Sequence, residues 1–366
     1  MKRFLFSVLA LLLILSACNQ NYTTPTATDD RELFATPTST KTFMPPLPTP
    51  SPASSSTPVP SPTLRRGINF GNMLEAPNEG EWGLTVQEEY FDLVKEAGFD
   101  FVRLPVRWNT HAGQVAPYAI DPDFFARIDL IVNWALERDL AIIVDFHHYT
   151  ELMSDPTSHK DRYLGITRQV AEHYKDYPSN VLFELLNEPN DKLDAGLWNQ
   201  YLREALVVVR RSNPTRDVVI GPASWNAYDS LPTLEVPDDE HLIVTFHYYL
   251  PFQFTHQGAE WAGDEAQKWL GTTWDGTDAQ EAEITGHFDT VADWSKQHGN
   301  VRILLGEFGA YNLAPQDSRV RWTEFMRSEA ERHGFAWAYW EFGAGFGAYD
   351  PNVKAWREDL LRALIP

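Results

Sequence analysis

Between residues 64 and 366 the chain repeats one pattern, a short β-branched or aromatic run followed by an amphipathic stretch. Eight such runs can be read, at 66–70, 99–105, 140–146, 180–186, 217–220, 242–248, 302–305 and 335–340. Helical periodicity fills several of the gaps, at 87–97, 123–138, 165–174, 197–211 and 318–333. This alternation predicts parallel strands joined by crossover helices. Eight units in about 300 residues fit a closed (β/α)8 TIM barrel, which takes about 250 residues plus insertions. The competing arrangement, an open doubly wound sheet, calls for a glycine-rich phosphate turn after its first strand, and Gly71-Asn72-Met73 is not one.

The first 63 residues are of another kind. Lys2 and Arg3 precede an apolar stretch over 4–15 that is too short to span a membrane and ends in Leu15-Ser16-Ala17-Cys18. That layout predicts a signal peptide over 1–17. The Leu-Ser-Ala-Cys sequence resembles the lipobox of bacterial lipoproteins, which implies that Cys18, the single cysteine of the chain, is a lipid anchor. Residues 18–63 are dominated by Thr, Ser and Pro and hold ten of the 25 prolines. A segment so poor in apolar residues cannot bury enough surface to fold, and it reads as a disordered, extended spacer. The expectation is an extracytoplasmic protein, tethered at the cell surface or secreted, whose folded part is one barrel over 64–366 acting as a monomer. Fifty-one acids against 30 Lys and Arg give a net charge of −21, which argues against a nucleic-acid partner.

A barrel places chemistry at the C-terminal ends of its strands, and polar residues gather there. Arg103 ends the second run, His147 and His148 follow the third, Asn187 and Glu188 the fourth, His247 and Tyr249 the sixth, Glu307 the seventh, and Trp340 closes the eighth. Two carboxylates delivered to one mouth are what glycoside hydrolysis needs, one to protonate the leaving oxygen and one to attack the anomeric carbon or activate water. The pair requires opposite protonation states. Arg103 beside Glu307, with a hydrogen bond from Tyr249, would favour the Glu307 carboxylate, while Glu188 has no cation in its own segment and would keep its proton. Glu184 shares strand parity with Glu188 and is expected to point inward as a partner for an arginine. The adjacent histidines do not complete a zinc-ligand spacing, so no metal and no cofactor are expected.

Val102-Arg103-Leu104-Pro105, Asp145-Phe146-His147-His148-Tyr149, Leu186-Asn187-Glu188-Pro189, His247-Tyr248-Tyr249, Gly306-Glu307-Phe308-Gly309 and Tyr339-Trp340-Glu341, in this order, resemble glycoside hydrolase family 5. Segments 71–80 and 251–261 look closer to the thermophilic bacterial endoglucanases of that family, some of which also cleave mannan. The resemblance implies a retaining endo-β-1,4-glucanase with Glu188 as acid/base and Glu307 as nucleophile, supported by Arg103, Asn187, His247 and Tyr249. Asn187 is placed to bond the sugar 2-hydroxyl. Asn72, Glu75, His147, His148, His256, Trp261 and Trp340 are the residues the resemblance puts against substrate, Trp340 as a stacking floor. The implied partner is a β-1,4-linked polysaccharide: cellulose, β-glucan, glucomannan or mannan. Two alternatives stay open, an endo-β-1,4-mannanase or dual enzyme, and a surface carbohydrate-binding lipoprotein without catalysis.

Overall fold

A computed structural model describes residues 62–366. The signal peptide, the Cys18 anchor and the 18–63 spacer, apart from its last two residues, lie outside the described residues. Eight parallel strands close into a barrel: β1 (Arg66–Asn69), β2 (Phe101–Val106), β3 (Ala141–Phe146), β4 (Val181–Glu184), β5 (Val218–Ile220), β6 (Leu242–His247), β7 (Arg302–Phe308) and β8 (Ala336–Tyr339), with β8 pairing back onto β1. The longer helices outside it are α1 (Glu88–Ala97), α2 (Pro122–Leu136), α3 (Pro156–His173), α4 (Ala195–Arg210), α5 (Asp278–Gln297), α6 (Gln316–Arg332) and α7 (Glu358–Leu364).

Local chemistry explains where these elements depart from the periodicity. Helix α3 begins well before 165 because Asp155 accepts a bond from the Ser158 amide and Pro156 occupies the first turn. Helix α5, absent from the sequence reading, buries a stripe only one residue wide: Ile284, Phe288, Val291 and Trp294. A capping box between Thr277 and Gln280 starts it. The β5–β6 connection carries no α-helix, only a 3-10 turn at Tyr228–Thr233 that contains Pro232.

Strand alternation sorts the barrel interior into two storeys. The lower is apolar, formed by Phe101, Ala141, Ile143, Leu182, Val219, Ile243, Leu304, Ala336 and Ala338. Phe101 lies across β1, and a Cβ on Gly67 would fall inside its ring. Two residues further along β1 to β4, on the same face, stand Asn69, Arg103, Asp145 and Glu184, all buried. Residues of opposite parity, such as Ile68, Val102, Leu104, Ile142 and Val144, pack outward against the helices.

The interlock at Gly67 gives a stability test. Gly67→Ala overpacks the floor and should cost about 1–3 kcal/mol, read by urea unfolding. Adding Phe101→Leu should recover part of that loss, and a double mutant no better than the single would show that the contact does not limit packing.

Candidate active site

The polar storey is organised around Arg103. Its Nε and Nη2 donate to Glu184 at 2.6 and 2.8 Å, and its Nη1 donates to Asn69 Oδ1 at 2.9 Å and Glu307 Oε1 at 2.8 Å. Nη2 also donates to Asn187 Oδ1 at 2.8 Å and lies 3.1 Å from Asp145. Burial works against the guanidinium charge, but Asp145, Glu184 and Glu307 outweigh it and hold its pKa well above the ordinary value. Asn69 passes the order on, its Nδ2 donating to the carbonyls of Gly306, Ala338 and Tyr339 on β7 and β8. Glu184 is thus the inward arginine partner that its parity predicts.

Glu307 reaches this centre through an irregularity in β7. Simple alternation from the inward Leu304 would turn residue 306 inward and 307 away. Instead the pairing slips between Phe246 and His247 so that His247 stands opposite Glu307, and a second slip towards β8 falls between Leu305 and Phe308. The strand therefore runs past 305, where the apolar run ends, to Phe308. Gly306 permits the bulge, since a Cβ there would meet Thr245 Oγ1 and lie 3.0 Å from His247 Nε2. The second Glu307 oxygen accepts from Tyr249 Oη at 2.9 Å.

Glu188 lies beyond the end of β4 with φ at +44°, a left-handed conformation unusual for a residue with a side chain. Asn190 Nδ2 holds its carbonyl at 2.8 Å. Its Oε1 is 2.7 Å from His247 Nδ1, which lies 3.7 Å from Glu307 Oε2. One oxygen from each of the two glutamates and one nitrogen of His247 lie within 4.8 Å of one another, the one group of three among the described residues close enough to hold a metal ion. His147 and His148 do not join it. His147 Nδ1 is 2.5 Å from Asp145, and His148 Nδ1 faces the Glu75 carbonyl at 3.2 Å.

Burial pushes the Glu188 carboxyl up to about 7, with Arg103 opposing and Glu184 reinforcing. It pushes Glu307 up to about 7 as well, against His247, Arg103 and the Tyr249 hydrogen bond, while Glu188 adds to the rise. Arg103 and the Tyr249 hydrogen bond favour the Glu307 carboxylate as expected, and burial outweighs them. Two coupled carboxyls this close retain one proton between them. Glu307 accepts from Arg103 and Tyr249, whereas Glu188 meets only the His247 ring nitrogen, so the hydrogen bonds favour the charge on Glu307 and the proton on Glu188. His247 is held neutral, burial lowering its pKa to about 4. Burial and the neighbouring Glu307 raise Tyr249 well above its ordinary value, keeping it a donor.

The other expected substrate residues divide. Trp340 stands half-buried at the mouth, its ring 5.6 Å from His147 and 10° from parallel. Trp261 is 60% exposed, set edge-on to Tyr311 at 4.9 Å. His148 lies at the mouth beside Trp82. Glu75 is fully buried and accepts from the Asn72 and Met73 amides, so it shapes the turn carrying Asn72. His256 is buried behind Tyr249, stacked on Phe252 at 4.0 Å with Nδ1 2.9 Å from Thr255 Oγ1. Glu341 is a structural acid, accepting from the amides of Gly343, Ala344 and Phe346.

Residues 65–345 match the cellulase family, glycosyl hydrolase family 5. The chain belongs to glycosyl hydrolase family 5. Among family 5 relatives, Endoglucanase H of Acetivibrio thermocellus is 38% identical over 293 residues, covering 80% of this chain and 31% of its own length. The chain thus spans about a third of that relative. Thermotoga maritima Cel5A, solved in complex with cellobiose, superposes with a TM-score of 0.81 at 48% identity, over 83% of this chain and 98% of that one. It has also been solved with mannotriose. Cellulose synthase subunit Z of Clostridioides difficile superposes with a TM-score of 0.80 at 41% identity, over 83% of this chain and all of that one.

Sequence reasoning left several residues off this family 5 site. Asn69 and Asp145 are polar positions inside buried strands, and parity alone marks them as inward. Trp82 and Trp225, 42% and 51% exposed, stand on loops after β1 and β5, and nothing in their local sequence distinguishes them from packing tryptophans.

The sharing of Arg103 sets a prediction for this family 5 barrel. Arg103→Lys keeps one charge but cannot span acceptors on four elements. Breaking a buried, paired charge network costs about 3–5 kcal/mol, so urea unfolding should show a loss of that order together with a collapse of kcat/KM.

Proposed function

We propose that the protein is a retaining endo-β-1,4-glucanase in which Glu188 is the acid/base and Glu307 the nucleophile. The observation that carries the reading is the approach of the two carboxylates within 4.8 Å. Retaining glycosidases hold their carboxyl groups about 5–5.5 Å apart, whereas inverting ones keep about 6.5–9.5 Å for a water molecule.

In the first step Glu307, oriented by Arg103 and Tyr249, attacks the anomeric carbon and forms a glycosyl ester, while Glu188 gives its proton to the departing glycosidic oxygen. Esterification removes the charge beside Glu188, which then takes a proton from water as that water attacks the same carbon and frees Glu307. The Asn187 amide, its oxygen held by Arg103, directs its N–H groups towards the cleft and the sugar 2-hydroxyl. Trp340 is read as the platform for the sugar whose bond breaks, and Trp82, Trp225 and Trp261 as rim surfaces for the rest of the polymer.

A dual activity on mannan has one observation in its favour, the mannotriose complex of the similar Thermotoga enzyme. Initial rates on carboxymethyl cellulose, barley β-glucan, glucomannan and galactomannan separate the two readings. The sequence 15–18 supports a lipid-anchored protein, with the barrel carried away from the membrane by the Pro/Ser/Thr-rich segment. Cys18→Ser should then move the protein from the membrane fraction to the soluble one, and unchanged membrane association would remove the anchor.

Glu307→Ala and Glu188→Gln should each lower turnover of cellohexaose by about 10³-fold or more with folding intact; full activity in either variant would sink the assignment. Proton NMR should show the β-anomer as the first product. Because burial pushes the Glu188 carboxyl up to about 7, kcat/KM should fall as pH rises through that region, and this limb should vanish in Glu188→Gln.

A further inference from the structure

His247 touches both glutamates, and its effect depends on which ring nitrogen carries the proton. A neutral imidazole has one N–H and one lone pair. With a lone pair on Nδ1, 2.7 Å from Glu188 Oε1, the ring would compete for the acid's proton. With N–H on Nδ1 it donates to Oε1 and leaves the acid proton on Oε2. The other charged groups acting on the ring are Glu307, Arg103 and Glu184. On the far side, Nε2 meets Asn226 Nδ2 at 3.5 Å.

We propose that Asn226 is a positioning residue: by donating from Nδ2 to Nε2 it keeps the His247 proton on Nδ1, so that Glu188 retains its own. This rests on the reading of Glu188 as acid/base. After Glu188 has protonated the leaving group, the same Nδ1–H supports the carboxylate that must act as base.

Several features show a turn shaped for this contact. Ser224, Trp225 and Asn226 all adopt left-handed backbone, with φ of 64°, 58° and 52°. The Asn226 carbonyl accepts from the His247 amide at 2.8 Å, and the Trp225 amide donates to the Pro189 carbonyl at 3.2 Å, so one turn grips both the histidine and the segment of Glu188. Gly221 leaves space for the amide, since a Cβ there would overlap the Asn226 side chain. Asn226 is fully buried while its Oδ1 has no hydrogen-bond partner among the described residues. Burying an amide with one end unmet is unfavourable, so stability alone does not call for it.

Two variants separate the amide from the backbone. Asn226→Gly accepts the left-handed φ and deletes only the amide. Asn226→Asp keeps size and shape but presents an acceptor to Nε2, drawing the ring proton there and freeing Nδ1 to take the proton of Glu188. Each is assayed from acid to alkaline pH on phenyl β-cellobioside, whose leaving group needs protonation, and on 2,4-dinitrophenyl β-cellobioside, whose leaving group does not, with Glu188→Gln alongside. On the phenyl substrate kcat/KM should fall about 10-fold for Asn226→Gly and about 10²-fold for Asn226→Asp, within the ~10²–10⁴ that general acid catalysis contributes. The alkaline limb should move to lower pH, while the dinitrophenyl substrate stays within about 2-fold. Nitrogen-15 NMR of the free enzyme should show Nδ1 protonated. An Nε2-protonated ring, a wild-type profile in Asn226→Asp, or equal losses on both substrates overturns the proposal. A Glu188→Gln enzyme without the leaving-group dependence overturns the acid/base reading instead.

Discussion

One guanidinium holds the upper half of this barrel together. Arg103 bonds groups from β1, β4 and β7 and from the segment after β4, with Asp145 of β3 beside it. The acids around it outnumber its charge: Asp145, Glu184 and Glu307 are buried beside it and Glu188 stands close by. That shortage of positive charge is chemically useful. Full neutralisation would leave every carboxyl ionised, whereas partial neutralisation leaves a proton on the acid with the fewest donors. The division of proton and charge between Glu188 and Glu307 thus follows from the imbalance of the cluster as much as from the two glutamates themselves.

The apolar storey beneath makes such a cluster tolerable. Phe101, Ile143, Leu182, Val219, Ile243 and Leu304 fill the barrel below the polar layer and give it a packed apolar floor. Above it the loops are braced by buried acids, Glu75 on the amides after β1 and Glu341 on those after β8. The site is thus set between a packed floor and hydrogen-bonded loops, the rigid support that orientation of reacting groups requires.

Strand number, strand order and the position of each polar strand end were legible in the sequence because buried parallel strands are continuous apolar runs, and a charged residue closing one stands out. Arg103, Glu184, Glu188 and Tyr249 fall where that logic puts them. Less legible was anything decided by the third dimension. Helix α5 exposes too much of its surface to show a strong period. The surroundings of Glu75 and His256, backbone amides for one and a phenyl ring and the Thr255 hydroxyl for the other, leave no mark in the local sequence. The raised titration of Glu188 and Glu307 comes first from burial, with Arg103 opposing it, and no spacing in the chain encodes that burial.

The slip in β7 carries a consequence for how this site can change. Glu307 faces the cleft because the backbone changes phase at Gly306, and the side chain has no part in that choice. Position 307 is therefore a socket whose direction survives exchange of its occupant, so smaller or differently charged side chains there would present themselves to the same walls. A single inserted or deleted residue between 304 and 308 would reverse that phase. Substitution at this point alters the chemistry and spares the architecture, while a change in length abolishes both.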